Sequence, residues 1–343
     1  MIQELINRYK RMRTEQCLRQ KYQYQYAFVG MGQHSLTNLY PVLYYLGVPL
    51  KYICVTSERK ARQIERKFIG VKATTSLDEI LKDESIKGVF VSTTPSAHFS
   101  IASQVLKSGK SLFIEKPPCQ TLEELDTLIA LQLQNGSYAA MVGLQKRYAP
   151  AIQLLNKRLS KEHLVNYDLH YLTGAYPEGN TLLDLYIHPL DLVCYLFGKP
   201  KIIAVRQVAK DSYIIMFQHP NIVGTLELST AYSWTTAEES LKVCTASGIY
   251  RLSQMEELAF IPTPSTVFGI PMEKLRPHHE TKEILFQRNN FTPLLVNNQI
   301  HSQGYFNEIT IFIDAVEGLG NQVITSLMNV RDTYEIICEI KGA

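Results

Sequence analysis

The sequence has few of the features that mark membrane, secreted or nucleic-acid-binding proteins. No apolar run in its 343 residues reaches the roughly 18–20 residues that a membrane-spanning helix requires. Its six cysteines are scattered, with no C-x-x-C pair and no metal-type spacing, so we expect a reduced, cytoplasmic protein without a disulfide framework. A net charge of +3, spread along the chain, gives no electrostatic footprint for nucleic acid.

The N-terminal segment lacks the apolar stretch of a secretory signal, so we expect residues 1–24 to form a charged helical extension. The composition, 45% hydrophobic and 20% charged, is typical of globular proteins. A chain of this length is expected to divide into about two domains, since single cores stop growing near ~250–300 residues. We place these domains at residues 25–145 and 146–343.

Short apolar runs alternate with amphipathic segments up to about residue 142. This alternation predicts parallel strands joined by crossover helices on both faces of a sheet, the doubly wound α/β class. Ser76 with Glu79, and Thr121 with Glu124, have the spacing of helix capping boxes. The predicted strands are 26–29, 50–55, 88–92, 111–114 and 138–142, and the predicted helices are 36–46, 58–68, 98–108 and 121–133.

Beyond Pro150, extended runs follow one another without helices between them. This pattern predicts a second, α+β domain built on a large, open, mostly antiparallel sheet. One helix is predicted over residues 181–197, with a kink at Pro189 because proline removes a backbone donor. The predicted strands of this domain include 201–209, 212–218, 222–230, 240–246 and 248–252, and helices over 305–317 and 330–340 follow them.

The segment from Gly30 to Ser35 follows the first predicted strand and opens the first helix. It matches the G-x-G-x-x-G pattern except that Ser35 replaces the third glycine. The first two glycines allow a tight turn and a close approach to a pyrophosphate, which rests on the helix N-terminus. We therefore predict dinucleotide binding, with a plain turn as the alternative. The predicted contacts are Gly30, Gly32, Gln33 and His34.

No acid stands at the end of the second predicted strand, where the ribose 2′-hydroxyl of NAD would be bound. Thr56 and Ser57 are small hydroxyl residues there, and Arg59 and Lys60 are cations within reach. This set suits a 2′-phosphate, so the sequence favours NADP over NAD. The alternative is that both cations belong to the solvated face of the next helix.

Two further segments carry side chains suited to proton transfer. Residues 115–118, Glu-Lys-Pro-Pro, close a predicted strand at its carboxyl end, where α/β sheets bind ligands. The following proline holds Lys116 in an extended conformation. Asp184, His188 and Asp191 are spaced i, i+4 and i+7, so they share a helix face on which an acid can orient the imidazole. A core histidine and a metal site are the alternatives, and we expect no metal.

These motifs together resemble the Gfo/Idh/MocA family of NAD(P)-dependent oxidoreductases over about residues 25–340. The resemblance implies an N-terminal Rossmann domain whose nicotinamide lies over the sheet of the second domain. It implies a sugar, cyclitol or related polyol as substrate, and a homodimer or homotetramer joined through the open sheet face. The matching segments are Gly30-x-Gly32, Thr94-Pro95-x-x-His98, Glu115-Lys116-Pro117, Gln145-Lys146-Arg147-Tyr148, Asp184-x-x-x-His188-x-x-Asp191 and the stretch 304–318.

The resemblance also implies roles for individual residues. It assigns catalysis to Lys116, Asp184 and His188. Two departures from the family pattern, the shortened glycine stretch at residues 179–181 and Tyr186 in place of a small residue, touch the expected substrate pocket. The remaining predicted site residues are divided between the cofactor (Thr56, Ser57, Arg59, Thr94, Pro95, His98 and Glu115) and the substrate (Arg147, Tyr148 and Asp191).

The predicted reaction is reversible hydride transfer between the nicotinamide and a carbinol or carbonyl carbon. We expect His188 to carry the proton, since its unperturbed pKa of about 6.5 lies near neutral pH. Lys116 would stabilise charge on the same oxygen and Asp184 would orient His188. A desolvated lysine also titrates near neutrality, so the reverse assignment stays open. The competing interpretations are an inactive NAD(P)-binding sensor and a hydrolase or lyase that uses NAD transiently.

Overall fold

Two β-sheets organise the chain. The computed structural model describes residues 1–18, 20–136, 139–177, 179–274, 281–289, 298–320 and 322–342, so Tyr138 of the last predicted strand lies outside the described residues. The first sheet contains β1 Gln25–Val29, β2 Leu50–Cys54, β3 Lys72–Thr74, β4 Ile86–Val91, β5 Ser111–Glu115 and β6 Ala140–Gly143. These strands are all parallel, in the order β3-β2-β1-β4-β5-β6, which confirms the predicted α/β class.

Helices connect the strands of the first sheet. Thr121 caps one of them as predicted, since its hydroxyl accepts a hydrogen bond of 3.2 Å from the backbone N–H of Glu124. The capping box predicted at Ser76 is wrong, because its side chain caps nothing and Glu79 pairs with Lys72 instead. The helices are α1 Ile2–Leu18, α2 Tyr40–Tyr45, α3 Glu58–Lys67, α4 Leu77–Lys82, α5 Pro95–Lys107 and α6 Leu122–Asn135, with a π-helical turn, Ser35–Leu39, before α2.

The second sheet has eight strands and is mixed. Its strands are β7 Leu164–Leu172, β8 Lys201–Ala209, β9 Ser212–Gln218, β10 Val223–Ser229, β11 Glu238–Thr245, β12 Gly248–Ser253, β13 Glu257–Pro262 and β16 Glu283–Gln287. The order is β16-β13-β12-β11-β7-β10-β9-β8, and only the pair β7 and β10 is parallel among these described strands. The predicted large, mostly antiparallel sheet is therefore confirmed, with β13 and β16 beyond the predicted runs.

The remaining elements connect or cover these sheets. A short hairpin, β14 Thr266–Val267 and β15 Ile270–Pro271, lies between β13 and β16 in the chain. The helices are α7 Pro150–Leu159, α8 Ile187–Phe197, α9 Gln299–Ser302, α10 Tyr305–Val316 and α11 Arg331–Gly342.

The helix predicted over residues 181–197 is divided in two. A π-helical turn, Thr181–Leu185, ends at Tyr186, and α8 begins at Ile187. The kink predicted at Pro189 is therefore wrong: this proline lies in the first turn of α8, where a backbone N–H has no intrahelical partner to lose. Asp184 therefore lies in the π-helical turn, whereas His188 and Asp191 lie on α8, so the three do not share one regular helix.

Helix α10 returns to the first sheet. The ring of Phe312 lies 5.1 Å from that of Phe90 and 5.7 Å from that of Phe113, between ring centroids. The hydroxyl of Tyr22 donates a 3.0 Å hydrogen bond to Asp314 on the same helix. The predicted domain limits place α10 in the second domain, whereas it packs in the core of the first; those limits remain a prediction. The two halves of the chain are thus held together by more than the single crossover at residue 145.

Two structural findings concern the protein classes that the composition argues against, those with disulfide frameworks and those with membrane-spanning helices. The five cysteines whose side chains are described are free thiols, and the side chain of Cys17 lies outside the described set. Within the described ranges, no helix combines the length and apolar character needed to cross a membrane.

The outward face of β8 and β9 carries exposed apolar side chains, which lead to a prediction about assembly. Ile203, Ile214 and Met216 are 52%, 48% and 40% exposed there. Contiguous apolar surface of this kind marks interaction sites, so we expect a homodimer or homotetramer joined through this face. The double variant Ile214→Lys, Met216→Lys should halve the mass that light scattering measures at micromolar concentration, because it places charges in the interface.

The matched control adds the same two charges to exposed positions of the first domain, as Gln104→Lys with Gln134→Lys. It should keep the wild-type mass. A wild-type chain that is monomeric at micromolar concentration would contradict the prediction.

Candidate active site

A glycine turn joins β1 to the first helical turn. The φ angle of Gly30 is +88°, and its N–H donates a 2.8 Å hydrogen bond to the carbonyl of Cys54. A Cβ atom at this position would lie 2.2 Å from the carbonyl oxygen of Ser92, so only glycine fits. Gly32 differs, because a Cβ there would meet no atom of the described residues within 4 Å. The Gly32 backbone is therefore open to a ligand.

The contacts of Ser35 show why a serine can replace the third glycine of the pattern. Its side chain is buried, and its hydroxyl donates a 2.9 Å hydrogen bond to the hydroxyl of Ser92 at the end of β4. The predicted role of this position is packing between helix and strand. A serine performs that role here with a hydrogen bond instead of a close backbone approach.

A groove of about 540 Å3 runs along the carboxyl ends of β1, β2 and β4. Among the residues considered for its ribose end, Thr56 and Lys60 line the groove. Ser57 is instead the N-cap of α3, where its hydroxyl accepts from the N–H of Lys60 at 3.4 Å, and Arg59 does not line the groove. The predicted residues Gly30, Gly32, Gln33, His34 and Thr94 also line the groove.

His98 supports the site through the backbone. It is buried on α5, which begins at Pro95, and burial lowers its pKa and holds the ring neutral. Nδ1 donates to the carbonyl of Pro117 at 2.7 Å, and Nε2 accepts from the N–H of Thr93 at 3.3 Å. The ring thus ties the β4–α5 turn to the segment after Lys116. Pro95 supplies the first residue of that helix and does not line the groove.

A second cavity, of about 730 Å3, lies between the two sheets. Lys116 enters it from the end of β5, and its Nζ donates a 2.5 Å hydrogen bond to the backbone carbonyl of Asp184. Burial lowers the pKa of this lysine from its usual 10.5, against the raising effect of Glu115 and Asp184. The ammonium group of the first domain is therefore fixed by a carbonyl of the second.

His188 enters the same cavity from α8. Burial lowers its pKa well below 6.5, and the neighbouring cations Lys116 and Lys146 lower it further, so the imidazole is neutral at neutral pH. Its buried Nδ1 has no hydrogen-bond partner among the described residues. Lys116 and His188, predicted as a pair from two distant segments, are thus brought together.

Asp184 occupies a different position from the predicted one. Its Oδ2 accepts a 2.8 Å hydrogen bond from the N–H of Asn180, and a Cβ on Gly179 would lie 2.2 Å from the same oxygen. Its carboxylate makes no hydrogen bond to His188 among those the structure describes. The prediction that Asp184 orients His188 is corrected: the π-helical turn directs its side chain backward, and its carbonyl holds Lys116.

The predicted substrate residues lie outside the cavity. The guanidinium of Arg147 donates to both carboxylate oxygens of Asp191 at 2.8 and 2.6 Å, and both side chains are buried. The hydroxyl of Tyr148 is 3.0 Å from that of Thr325 and accepts from the N–H of Ile324 at 3.1 Å. The assignment of Arg147, Tyr148 and Asp191 to the substrate is therefore corrected. Their contacts connect segments within the second half of the chain.

The contacts of Asp191 argue against the alternative of a metal site formed by Asp184, His188 and Asp191. The carboxylate of Asp191 accepts hydrogen bonds from the guanidinium of Arg147 and, at 3.1 Å, from the hydroxyl of Thr333. Among the described residues, no group of three His, Cys, Asp or Glu side chains is placed to hold a metal ion.

Sequence reasoning missed several residues that line the cavity. The Nζ atom of Lys146 lies 4.6 Å from the ring centroid of Tyr171, and the same ammonium pairs with Glu239. Trp234 stands at the rim, where its indole N–H donates to the carbonyl of Ala175 at 3.0 Å. Lys146 could have been predicted, since it belongs to one of the segments that match the family pattern. Tyr171, Glu239 and Trp234 come from separate strands and loops and belong to no local sequence pattern.

Two buried acids, Glu115 and Glu308, belong to this region, and Glu115 lines the cavity. Oε1 of Glu115 is 3.2 Å from Nε2 of His34, whose ring packs edge-on against Tyr305 at 5.7 Å. Burial opposes protonation of His34, but the neighbouring carboxylate of Glu115 raises its pKa overall. Glu308 is fully buried, and burial followed by the charge of Glu115 raises its pKa well above 4.5. Glu308 therefore keeps its proton to a higher pH than an exposed glutamate does.

Comparisons with known proteins agree with this geometry. Residues 24–144 match the model of the Gfo/Idh/MocA family, described as an oxidoreductase family with an NAD-binding Rossmann fold. Putative oxidoreductase YceM of Salmonella typhimurium is 26% identical over 179 residues, which cover 50% of this chain and 58% of that protein. Inositol 2-dehydrogenase of the same organism is 24% identical over 186 residues, covering 52% and 55%. The chain spans little more than half the length of these curated relatives.

Solved structures extend the likeness to both domains. Levoglucosan dehydrogenase in complex with NADH and levoglucosan has a TM-score of 0.76 at 16% identity, covering 93% of this chain and 96% of that one. A dehydrogenase from Chromobacterium violaceum has a TM-score of 0.76 at 19% identity, covering 94% and 95%. Identities this low establish a shared fold. The match of residues 24–144 to the family model agrees with the resemblance drawn from the motifs of the first domain.

The buried acid on α10 gives a prediction about stability and pH. The folded chain keeps a proton on Glu308 that the unfolded chain loses above about pH 4.5, so this group makes stability fall as the pH rises through that range. Glu308→Gln imitates the protonated acid and should remove the loss. Relative to wild type, the variant should gain up to about 1.4 kcal/mol of unfolding free energy per pH unit between that value and the raised pKa of folded Glu308.

Urea unfolding at a series of pH values measures the difference. Glu84→Gln, at an exposed position, is the control and should follow the wild-type curve. Parallel curves for Glu308→Gln and wild type would show that the carboxyl is not held protonated.

Proposed function

We propose that this chain, whose first domain belongs to the Gfo/Idh/MocA family, is an NAD(P)-dependent oxidoreductase acting on a sugar, cyclitol or related polyol. The supporting observation is that the two cavities share His34, Ser92 and Thr93 in their walls. A dinucleotide bound along the groove can therefore present its reactive end to the space that contains Lys116 and His188.

The described residues fit such a cofactor. Gly30 allows the turn, and the backbone at Gly32 is open for a pyrophosphate at the helix N-terminus. Thr56 and Lys60 would hold the ribose end, and His34 with Glu115 would border the nicotinamide end. When bound, the nicotinamide supplies or accepts the hydride.

Lys116 is the better candidate for the proton carrier, which reverses the assignment favoured by the sequence. An efficient general acid or base has a pKa near the working pH. Burial moves the pKa of Lys116 down from 10.5 toward neutrality, whereas it moves that of His188 down from 6.5 and away from it. In oxidation, neutral Lys116 would take the hydroxyl proton; in reduction, its ammonium form would return it. Neutral His188 would hydrogen-bond the same substrate oxygen.

The lining of the cavity suits a substrate rich in hydroxyl groups. Side-chain amides both donate and accept hydrogen bonds, as hydroxyls require. The faces of Tyr171 and Trp234 offer apolar surface for the C–H face of a ring. Homologues named as inositol dehydrogenases support the same class. The amides that line the cavity are Asn38, Gln145, Gln254, Gln299 and Gln303.

NADP is the proposed cofactor, and Lys60 is the residue that tests it. A cation in the groove favours a 2′-phosphate, since hydrogen bonds to charged groups contribute about 1.5–3 kcal/mol. Lys60→Ala should weaken NADP binding roughly ten- to hundredfold and leave NAD binding unchanged, as measured by titration with each cofactor. Arg59→Ala, next to it but outside the groove, should alter neither affinity. Tighter binding of NAD than of NADP by the wild type would refute the proposal.

The proposed chemistry is tested by two substitutions that spare the cofactor groove. Lys116→Met and His188→Ala should each lower turnover by roughly 10²–10⁴-fold, because each removes a partner of the reacting oxygen. Cofactor affinity should change little. Wild-type oxidation should accelerate as the pH rises, since Lys116 must be deprotonated to accept the proton.

The assay monitors nicotinamide absorbance against a panel of sugars and cyclitols. Lys107→Met removes an exposed lysine of the first domain and should behave as wild type. Full turnover in Lys116→Met would show that the proton carrier is misassigned. Persistent cofactor binding without turnover on any alcohol would favour a sensor instead.

A further inference from the structure

His34 and Glu115 are in contact where the two cavities meet. Oε1 of Glu115 lies 3.2 Å from Nε2 of His34, and the two side chains are 7% and 41% exposed. His34 lines both cavities, and Glu115 lines the one that contains Lys116. The pair therefore borders the proposed position of the nicotinamide end, and the histidine keeps access to protons from the solvent.

The second nitrogen of His34 has a partner that suits either protonation state. Nδ1 lies 3.0 Å from the side-chain amide of Asn38. A neutral ring accepts there from the amide N–H and a protonated ring donates there to the amide oxygen, so rotation of one amide serves both states. Burial and the charge of Lys116 oppose protonation of His34, but the carboxylate of Glu115 raises its pKa overall.

Other titratable groups surround this pair. Burial lowers the pKa of His188 well below 6.5 and raises that of Tyr305 well above 10, so neither changes its charge near neutral pH. Burial lowers the pKa of Lys116 from 10.5 and raises that of Glu308 well above 4.5, which moves both toward the range in which His34 titrates. A test of His34 must therefore remove or cancel the charges of these two groups.

The net charge of the pair depends on one proton. When His34 is protonated, its positive charge and the negative charge of the Glu115 carboxylate cancel. When His34 is neutral, the pair carries one negative charge. The oxidised nicotinamide ring carries a positive charge and the reduced ring carries none, so a negative charge beside the ring favours the oxidised form by Coulombic attraction.

We propose that His34 and Glu115 set the preference of the site between oxidised and reduced cofactor, and that this preference changes with pH as His34 gains or loses its proton. This inference rests on the proposed oxidoreductase function. As the pH rises, the chain should bind the oxidised form more tightly relative to the reduced form. One unit charge within several ångströms of the ring corresponds to a change of roughly tenfold in the ratio of the two dissociation constants.

The ratio Kd(NADP)/Kd(NADPH) measures this preference, because contacts away from the nicotinamide are shared by both forms and cancel. Lys116→Met serves as the parent chain, so that the lysine does not titrate. Between about pH 6.5 and about pH 9, isothermal titration calorimetry should show the ratio of this parent falling roughly tenfold. NAD and NADH should give the same fall, since the 2′-phosphate also cancels from the ratio.

Two further substitutions in that parent should each remove the pH dependence. His34→Gln leaves the carboxylate of Glu115 without a titrating partner, so its ratio should stay at the high-pH value of the parent. Glu115→Gln removes the negative charge and the cause of the raised pKa, so its ratio should stay at the low-pH value. Glu308 is present in both the parent and His34→Gln, so its charge cancels in that comparison. His163→Gln, at an exposed position, is the control and should follow the parent.

The outcomes separate this inference from the function on which it rests. Binding of both cofactor forms with a ratio that does not fall with pH, or that falls equally in His34→Gln, overturns the inference and leaves the proposed function standing. A chain that binds none of NADP, NADPH, NAD and NADH overturns the proposed function and this inference together.

Discussion

The contact between the Lys116 ammonium and the carbonyl of Asp184, at 2.5 Å, is the interaction on which the arrangement of the candidate site depends. It takes the side chain at the end of β5 and fixes it against the π-helical turn of the other half of the chain. A lysine in such a place is largely removed from water, and the cost of desolvation appears as a lowered pKa. The same burial that fixes the side chain also brings its proton affinity toward the working range of an acid–base group.

Other buried groups, within each half and between the halves, fix the walls of the cavity around that contact. The ion pair of Arg147 and Asp191 is bidentate and buried, so removal of either partner would leave an uncompensated charge. Phe312 of α10 adds its ring to the aromatic core of the first sheet. His98 holds the backbone after Lys116 from behind. The cavity is therefore the space between two bodies joined at several points.

The local parts of this arrangement could be predicted from the sequence. Alternating strands and helices gave the parallel sheet, and Gly30 with Gly32 gave the turn, because these features depend on residues close together in the chain. Lys116 was identifiable because it follows a buried strand and precedes proline. The meeting of Lys116 with His188 required the family resemblance, since the two lie far apart in sequence.

The errors have a common physical origin in contacts between distant segments. Arg147 and Asp191 have the chemistry of substrate-binding residues, but each satisfies the other, which no local pattern reveals. Asp184 has helical spacing from His188, yet the π-helical turn directs its carboxylate to the N–H of Asn180. Lys60 replaces Arg59 in the groove because the helix start at Ser57 decides which side chain faces inward.

We propose that one dinucleotide spans both cavities, and a crystal structure of the chain with bound NADP would show whether it does. We expect the pyrophosphate on the turn of Gly30 and Gly32 and the nicotinamide end beside His34 and Glu115. Lys116 and His188 should face the nicotinamide from the side where the substrate binds. A cofactor whose nicotinamide end turns away from the cavity between the sheets, or whose pyrophosphate binds elsewhere, would contradict it.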